Sequence, residues 1–340
     1  MANNTIKDVA KEANVSIATV SRVLNKNYYV SPDLEKKVMD AIAKLNYFPN
    51  SVARSLKNEI THTIGLIVSD ISNTFFTMLA RSIEDIIKVH DYNLIVCSTD
   101  NQKDKEYSYL QLLLEKKVDG IILNITGFNN DFITSISPDI PLALCGRKIN
   151  NSAFIGDFVD SDNTVGAYEL TKHLISMGHS KIAIVNGQQS VSSGSERFDG
   201  FRKAMNTIDI EVTDNYPYIY NGNFNNTESG YLAADYLVHL ENPPTAILAM
   251  NNELTIGVLR YCKEHEIRIP DDISIGCYGD IFNVDLFYVV PSNITMNPYT
   301  IGTRIAELIM ERIEQKNQLP NREIRFTPNI IQGNGVKRID

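Results

Sequence analysis

The 340-residue chain has no apolar run that approaches the roughly 18 to 20 residues a membrane span needs. Its opening MANNTIKDVAKEA lacks the apolar core of a secretory signal, so neither export nor membrane insertion is expected. Cysteine is sparse: Cys97, Cys145, Cys262 and Cys277 are widely scattered, with no CxxC pair to suggest a metal site. A reduced cytoplasmic protein is the natural reading, with no metal and no cofactor. The six histidines, at 62, 90, 173, 179, 239 and 265, are equally scattered. No GxGxxG or GxxxxGK[ST] phosphate cradle follows a strand-like run, and GxSxG is missing because Gly194-Ser195 stands without the rest. No Ser/His/Asp set can be argued either, so no catalytic residue is expected. Positive charge is also short, the net charge being −9. Taken whole, that reads against a nucleic-acid binder.

The deficit is unevenly spread. Residues 1–60 hold nine Lys/Arg and six Asp/Glu, a net +3, which leaves −12 for the remainder. A small cationic head on an anionic body suits a protein whose head alone touches phosphates, although an acidic body is also ordinary. Within the head, Thr5 to Asn25 (TIKDVAKEANVSIATVSRVLN) is spaced as a helix-turn-helix. Thr5 can cap a helix and Asp8, three residues on, can cap in return. Ile6, Val9, Ala10 and Ala13 fall on one helical face. Asn14 suits the left-handed exit and Val15 plugs the turn. Ser16 can cap a second helix that turns Val20, Val23 and Leu24 inward and leaves Ile17, Ala18, Thr19, Ser21, Arg22 and Asn25 mostly outside. Small and polar residues at that exposed end suit entry into a DNA major groove. The same spacing also serves a three-helix core with no ligand. A third helix is expected from Ser31-Pro32-Asp33 to before Pro49, with Tyr47 and Phe48 closing the core. Asn50 to Lys57 (NSVARSLK) is one or two turns of possible helix, too short to stand alone in water.

From His62 strand-like and helix-like segments alternate. Strands are expected at Thr63–Ser69, Asn93–Cys97, Gly120–Asn124 and Leu142–Cys145, and again at Ile182–Val185, Tyr218–Tyr220, Ala246–Met250 and Ile273–Cys277. Helices of 7 to 16 residues separate most of them. That rhythm means βαβ units and parallel sheets covered on both faces, here in two successive lobes. Ligands of such sheets bind beyond the carboxyl ends of the strands, so the cleft between lobes is the natural pocket. The 43% apolar, 21% charged composition is that of an ordinary folded protein with room for two or three domains.

With these parts in this order, the chain resembles the LacI/GalR family of transcriptional regulators over essentially its whole length. The landmarks are IGLIVSDISNTFF (64–76), KKVDGIILN (116–124), DNTVGA (162–167), GHSKIAIV (178–185), RFDGF (197–201), AILAMNN (246–252), RIPDDISIGCYGD (268–280) and IGTRIAELIMERI (301–313). The segment 97–127 also looks like the ketodeoxygluconate-regulator branch. The resemblance implies an α/β chain: a helix-turn-helix three-helix domain (1–49), a hinge helix (50–60), and a two-lobed periplasmic-binding-protein-like body of parallel α/β sheets. The first lobe is expected over 61–161 and 292–322, the second over 162–291 and 323–340. It further implies a homodimer that represses a carbohydrate-utilisation operon, reads a palindromic operator and is controlled by a small effector, a sugar or sugar acid. It leaves room for a protein co-regulator docking on the first lobe.

The same resemblance places Ile17, Ala18, Thr19, Ser21 and Arg22 at the major groove. The apolar Ile17-Ala18 pair would meet thymine methyl groups, and Arg22 would read guanine or hold phosphate. Thr5, Ser16, Thr19 and Asn25 are phosphate candidates. Leu56, helped by Asn50, Val52 and Ala53, would wedge into the minor groove, unless it only packs the linker. For the effector, Ser69, Asp70, Asn73, Phe75 and Phe76 follow the first strand. Asn124, Thr126 and Gly127 follow the third, Arg147 the fourth, Arg197 opens a helix and Asn252 follows AILAMN. Arg197 aligns with a position that commonly holds the effector; its other role would be a salt bridge across the cleft. Asn251-Asn252 replaces the family's usual Asn-Asp, and Gly146-Arg147 its frequent Asp-Arg. Two acids lost beside two arginines shift the pocket toward anions. The tyrosines at 28, 29, 216, 218 and 220 read as packing or surface residues. A solute-binding protein shares the two-lobed body but needs an export signal and no helix-turn-helix.

Overall fold

The computed structural model describes residues 4–25, 28–47, 60–224 and 226–339, with Asn25 described by its backbone alone. The chain divides between Thr61 and His62 into two compact units.

Among its described residues the first unit holds three helices: α1 (Ile6–Glu12), α2 (Ile17–Asn25) and α3 (Pro32–Leu45). The Asp8 carboxylate accepts from the Thr5 amide and hydroxyl, both at 2.7 Å, which fixes the start of α1. Those bonds hold the Asp8 carboxyl below its usual range. Asn14 leaves α1 in the left-handed region at φ 52°, as its side chain permits. Ser16 Oγ then accepts from the Thr19 amide at 3.1 Å and starts α2. Val9, Ala10, Ala13, Val20, Val23, Val38 and Ala41 form the core, with Val15, Leu24, Ile42, Leu45 and Tyr47 packed around it. The helix-turn-helix spacing therefore folds as expected, while Phe48 and the hinge lie outside the described residues.

The second unit carries two six-stranded sheets. The first has the order β11-β5-β4-β3-β1-β2, built from β1 (Thr63–Val68), β2 (Asn93–Ser98), β3 (Gly120–Leu123), β4 (Leu142–Cys145), β5 (Asp157–Ser161) and β11 (Glu323–Phe326). The second has the order β12-β10-β9-β8-β6-β7, from β6 (Ile182–Asn186), β7 (Ile219–Asn221), β8 (Ala246–Ala249), β9 (Ser274–Tyr278), β10 (Ser292–Thr295) and β12 (Asn329–Ile331). All pairings are parallel except that of β12 with β10. Runs such as Ile64–Val68 and Ile182–Val185 are buried throughout, as parallel strands covered on both faces must be.

Helices α4 (Thr74–Lys88), α5 (Lys103–Glu115) and α6 (Asn130–Ile136) belong to the first lobe, together with α11 (Pro298–Glu314). The second lobe has α7 (Asn163–Ser176), α8 (Ser192–Met205), α9 (Thr227–Val238) and α10 (Asn252–Glu264). Helix α11 lies hard against α4 because residue 302 is glycine: a Cβ there would sit 1.9 Å from Ser82 Oγ.

Two expectations about the lobes need correction. Strand β10, expected in the first lobe (292–322), pairs with β9 in the second sheet. Strand β11, expected in the second lobe (323–340), pairs with β5 in the first. The chain thus crosses between lobes after Ser161, after Thr295 and after Phe326. At the first two crossings the strands are tied, Ser161 Oγ donating to the Met296 carbonyl at 3.2 Å. Strand β5 carries two acids in full burial. Burial works against the charge of Asp157, but hydrogen bonds from Arg322 and Arg312 outweigh it and hold the carboxyl below its usual range.

Candidate functional site

The head presents the outward face of α2. Ile17 is 44% exposed, Ser16, Ala18 and Arg22 are exposed, and Thr19 and Ser21 are half-buried. Ser16 and Thr19 hydroxyls bond to each other at 2.9 Å. Thr5 is exposed, but its amide and hydroxyl protons are both taken by Asp8. The Arg22 guanidinium lies 5.6 Å from the ring centroid of Tyr28, itself 72% exposed. Tyr28 is thus a surface residue, as expected, with its ring against the one arginine of α2. The side chain of Asn25, and Asn50, Val52, Ala53 and Leu56, lie outside the described residues.

In the body, the carboxyl ends of both sheets converge on a cavity of about 320 Å³. The first lobe contributes Ser69 after β1, Asn124 after β3 and Gly146-Arg147 after β4; α4 and its cap bring Asn73, Phe75 and Phe76. The second lobe contributes Ser193 and Arg197 from α8, Phe224 after β7, Asn251 and Asn252 at the start of α10, and Tyr278 and Asp280 from the end of β9.

Two guanidiniums dominate the electrostatics. Arg147 is 4% exposed and Arg197 5% exposed. Arg147 Nη1 donates to Asn101 Oδ1 at 2.5 Å and to the Ile125 carbonyl at 2.8 Å. Burial lowers its pKa to about 10, Glu106 opposing. Arg197 Nε donates to Asn163 Oδ1 at 2.9 Å and Nη1 to the Met250 carbonyl at 2.5 Å. Its Cζ lies 4.1 Å from the Tyr278 ring centroid and 5.3 Å from that of Phe224. Among the described residues neither arginine forms an ion pair within 4.0 Å. The cross-cleft salt bridge expected as the alternative for Arg197 is made by its neighbour instead, Glu196 binding Arg325 of β11 at 2.8 Å. Behind Arg197, burial raises Asp160 to about 6 while Arg197 and Asn163 pull it down; its Oδ1 has no partner.

Of the eleven effector candidates, eight line this cavity: Ser69, Asn73, Phe75, Phe76, Asn124, Arg147, Arg197 and Asn252; Gly127 does not line it. Thr126 does not, because the buried Glu106 carboxylate takes its amide and hydroxyl, both at 2.6 Å. Asp70 does not either; its Oδ1 accepts from the Ser72 amide and hydroxyl at 2.8 and 2.7 Å, closing a turn. Phe224, Tyr278, Asp280 and Ser193 went unpredicted. The signal for Tyr278 and Asp280 lay in CYGD (277–280), which ends a strand as IVSD does in the other lobe. Asp280 restores one acid to the cavity, its Oδ2 accepting from the Met296 amide at 3.0 Å.

A helix-turn-helix head joined to a two-lobed body with a polar, aromatic-lined cavity defines a ligand-controlled DNA-binding protein. Comparisons agree. Residues 61–332 match the model for periplasmic binding proteins and the sugar binding domain of the LacI family, and 5–50 that for bacterial regulatory proteins of the lacI family. The HTH-type transcriptional repressor PurR of Haemophilus influenzae (strain PittEE) is 34% identical, covering 98% of this chain and 99% of its own. PurR of Vibrio atlanticus (strain LGP32) is 33% identical over 99% of both. The lac repressor dimer bound to operator and the anti-inducer ONPF shares the fold, with a TM-score of 0.83 at 22% identity over 99% of this chain and 100% of that one. A LacI family transcriptional regulator from Enterococcus faecium with bound ribose gives a TM-score of 0.72 at 25% identity over 82% of this chain and 100% of that one.

The chain belongs to the LacI family, and it is a DNA-binding transcriptional repressor with an effector-binding body. The two sequence relatives named above are PurR repressors, so the ketodeoxygluconate-regulator branch gives way to the coarser family statement. Among the described residues no helix is long and apolar enough to cross a membrane.

Proposed function

We propose that the chain acts in the cytoplasm as a homodimer on a palindromic operator, under control of a small anionic effector, a sugar acid, seated between the lobes. The two buried guanidiniums, Arg147 and Arg197, facing one cavity without a carboxylate partner, carry this reading. A carboxylate is the natural complement of such donors. Asp280, Asn124 and Ser69 suit hydroxyl groups, and the faces of Phe75 and Phe224 suit an apolar ring face. A planar oxopurine is a second reading, favoured by the ring-lined walls and by the similarity to repressors named PurR.

Two exposed apolar patches support self-association: Ile95 and Val96 on edge strand β2, and Phe282, Leu286, Phe287 and Tyr288 on the second lobe. In this reading the α2 face, with Ile17, Ala18, Thr19, Ser21 and Arg22, enters the major groove, and Leu56 wedges into the minor groove. Effector binding changes the lobe angle and thereby DNA affinity, a coupling of about 1–3 kcal/mol.

A thermal-shift panel of neutral sugars, sugar phosphates, sugar acids and purine bases tests the effector class. Stabilisation by sugar acids, lost in Arg147→Gln, is expected. Stabilisation by neutral sugars alone overturns the anion reading, and by purine bases alone selects the second. Titration of the palindrome nearest its own gene across salt tests the DNA reading, which predicts a steep loss of affinity as salt rises.

A further inference from the structure

Asn73 and Asn252 make a contact that no ligand-binding role requires. They lie on opposite lobes, 179 positions apart, 6% and 7% exposed. Asn73 Nδ2 donates to Asn252 Oδ1 at 3.2 Å, and Asn252 Nδ2 donates to Asn73 Oδ1 at 3.0 Å. Asn73 is anchored on its own side, its Oδ1 also accepting from the Phe75 amide at 2.9 Å to cap α4. Asn252 is the first residue of α10. Asn73 is thus pinned by its cap, Asn252 sits at the head of α10, and each side chain offers the other lobe one donor and one acceptor.

We propose that this amide pair is an interlobe latch, setting how readily the empty cavity opens and hence how the repressor answers its effector. The pair needs an amide at both positions. A carboxylate at 252 would turn an acceptor toward Asn73 Oδ1, and this chain has Asn251-Asn252 where a carboxylate would forbid reciprocal bonding. Beside the pair, burial, and after it the charge of Asp70, hold the Glu253 carboxyl above its usual range. The amide pair biases the cleft toward closure, and a ligand that binds the closed and open forms unequally can tip that bias.

The latch concerns closure of the body and stands whichever effector class proves right. Its test is a distance measurement between spin labels on the full chain, at Asp139→Cys in the first lobe and Lys203→Cys in the second, both exposed. The four native cysteines are buried. The parent protein is expected to show one dominant short distance. Asn252→Ala is expected to lower the closed-to-open ratio about fivefold for each net hydrogen bond lost. Asn73→Asp keeps the α4 cap but removes one interlobe donor, and is expected to shift the ratio the same way by less. Adding Asn252→Asp to Asn73→Asp sets two carboxylates face to face and is expected to open the cleft most. The parent distance persisting in all three folded variants, or an equal shift in all three, overturns the latch.

Discussion

Replacing Asp160 by asparagine is expected to stabilise the protein, and more so as pH rises. Asp160 lies in β5 with its side chain fully buried, and of its two oxygens only Oδ2 finds a partner, the Asn163 amide at 2.9 Å. Burial raises its pKa from 3.8 to about 6, against the opposing pull of Arg197 and Asn163. A carboxyl whose folded pKa lies above its unfolded value favours the folded state most when protonated. Its contribution is complete below about pH 4 and is lost as pH rises through about 6. The gap between 3.8 and about 6, at about 1.4 kcal/mol per pH unit, comes to about 3 kcal/mol above pH 7 and about half of that at pH 5.

Asp160→Asn removes the charge at every pH and keeps the acceptor that Asn163 uses. Urea unfolding of the two proteins at pH 5 and pH 8 measures the difference directly, and melting should rise by about 6 °C at pH 8 and about half that at pH 5. A variant that is less stable at pH 8 than the parent refutes the reasoning. It would mean that the ionised carboxylate is needed to compensate Arg197 and that the pair, not burial, governs the site.

Glu106→Gln is expected to cost about 2–3 kcal/mol in the same unfolding assay, since the buried carboxylate accepts from Thr126 twice and from Asn129 at 2.8 Å. The thermal shift given by the effector should survive, because Glu106 does not line the cavity. Under the proposal that Arg22 enters the major groove and reads a base, Tyr28→Ala is expected to lower discrimination between operators that differ at that base pair by about 2- to 5-fold, the worth of an exposed cation–π contact. Tyr28→Phe should retain it. Competitive operator titrations check both, with Arg22→Ala as the reference for losing the readout entirely.

The central strands were legible because strands buried on both faces spell continuous apolar runs, as Ile64–Val68 and Ile182–Val185 do. Strand β5, Asp-Phe-Val-Asp-Ser, carried no such signal. Its Asp157 is made tolerable by Arg312, 155 positions away, and local reading has no access to that partner. Edge strand β11, Glu-Ile-Arg-Phe, is partly exposed and alternates polar with apolar residues, so no continuous apolar run marks it as a strand. Site residues were found where a strand end points straight into the cleft, as at Ser69, Asn124 and Arg147. Thr126 failed for the opposite reason: two residues past Asn124, it is claimed by a buried glutamate 20 positions earlier. The helix-turn-helix was the most legible part, because its caps, Thr5 with Asp8 and Ser16 with Thr19, are all local.

The three crossings between lobes bear on how the body can be taken apart. A cut after residue 161 gives a fragment that carries β1 to β5 but lacks the edge strand β11 and helix α11, which arrive only after residue 297. The complementary fragment carries the second sheet whole, burdened with α11, whose buried Ile301, Ile305 and Ile309 then have no first lobe to cover them. Neither lobe corresponds to a contiguous stretch of gene. Nested deletions would therefore remove both lobes' packing together, and separated halves should regain a body only by being produced side by side.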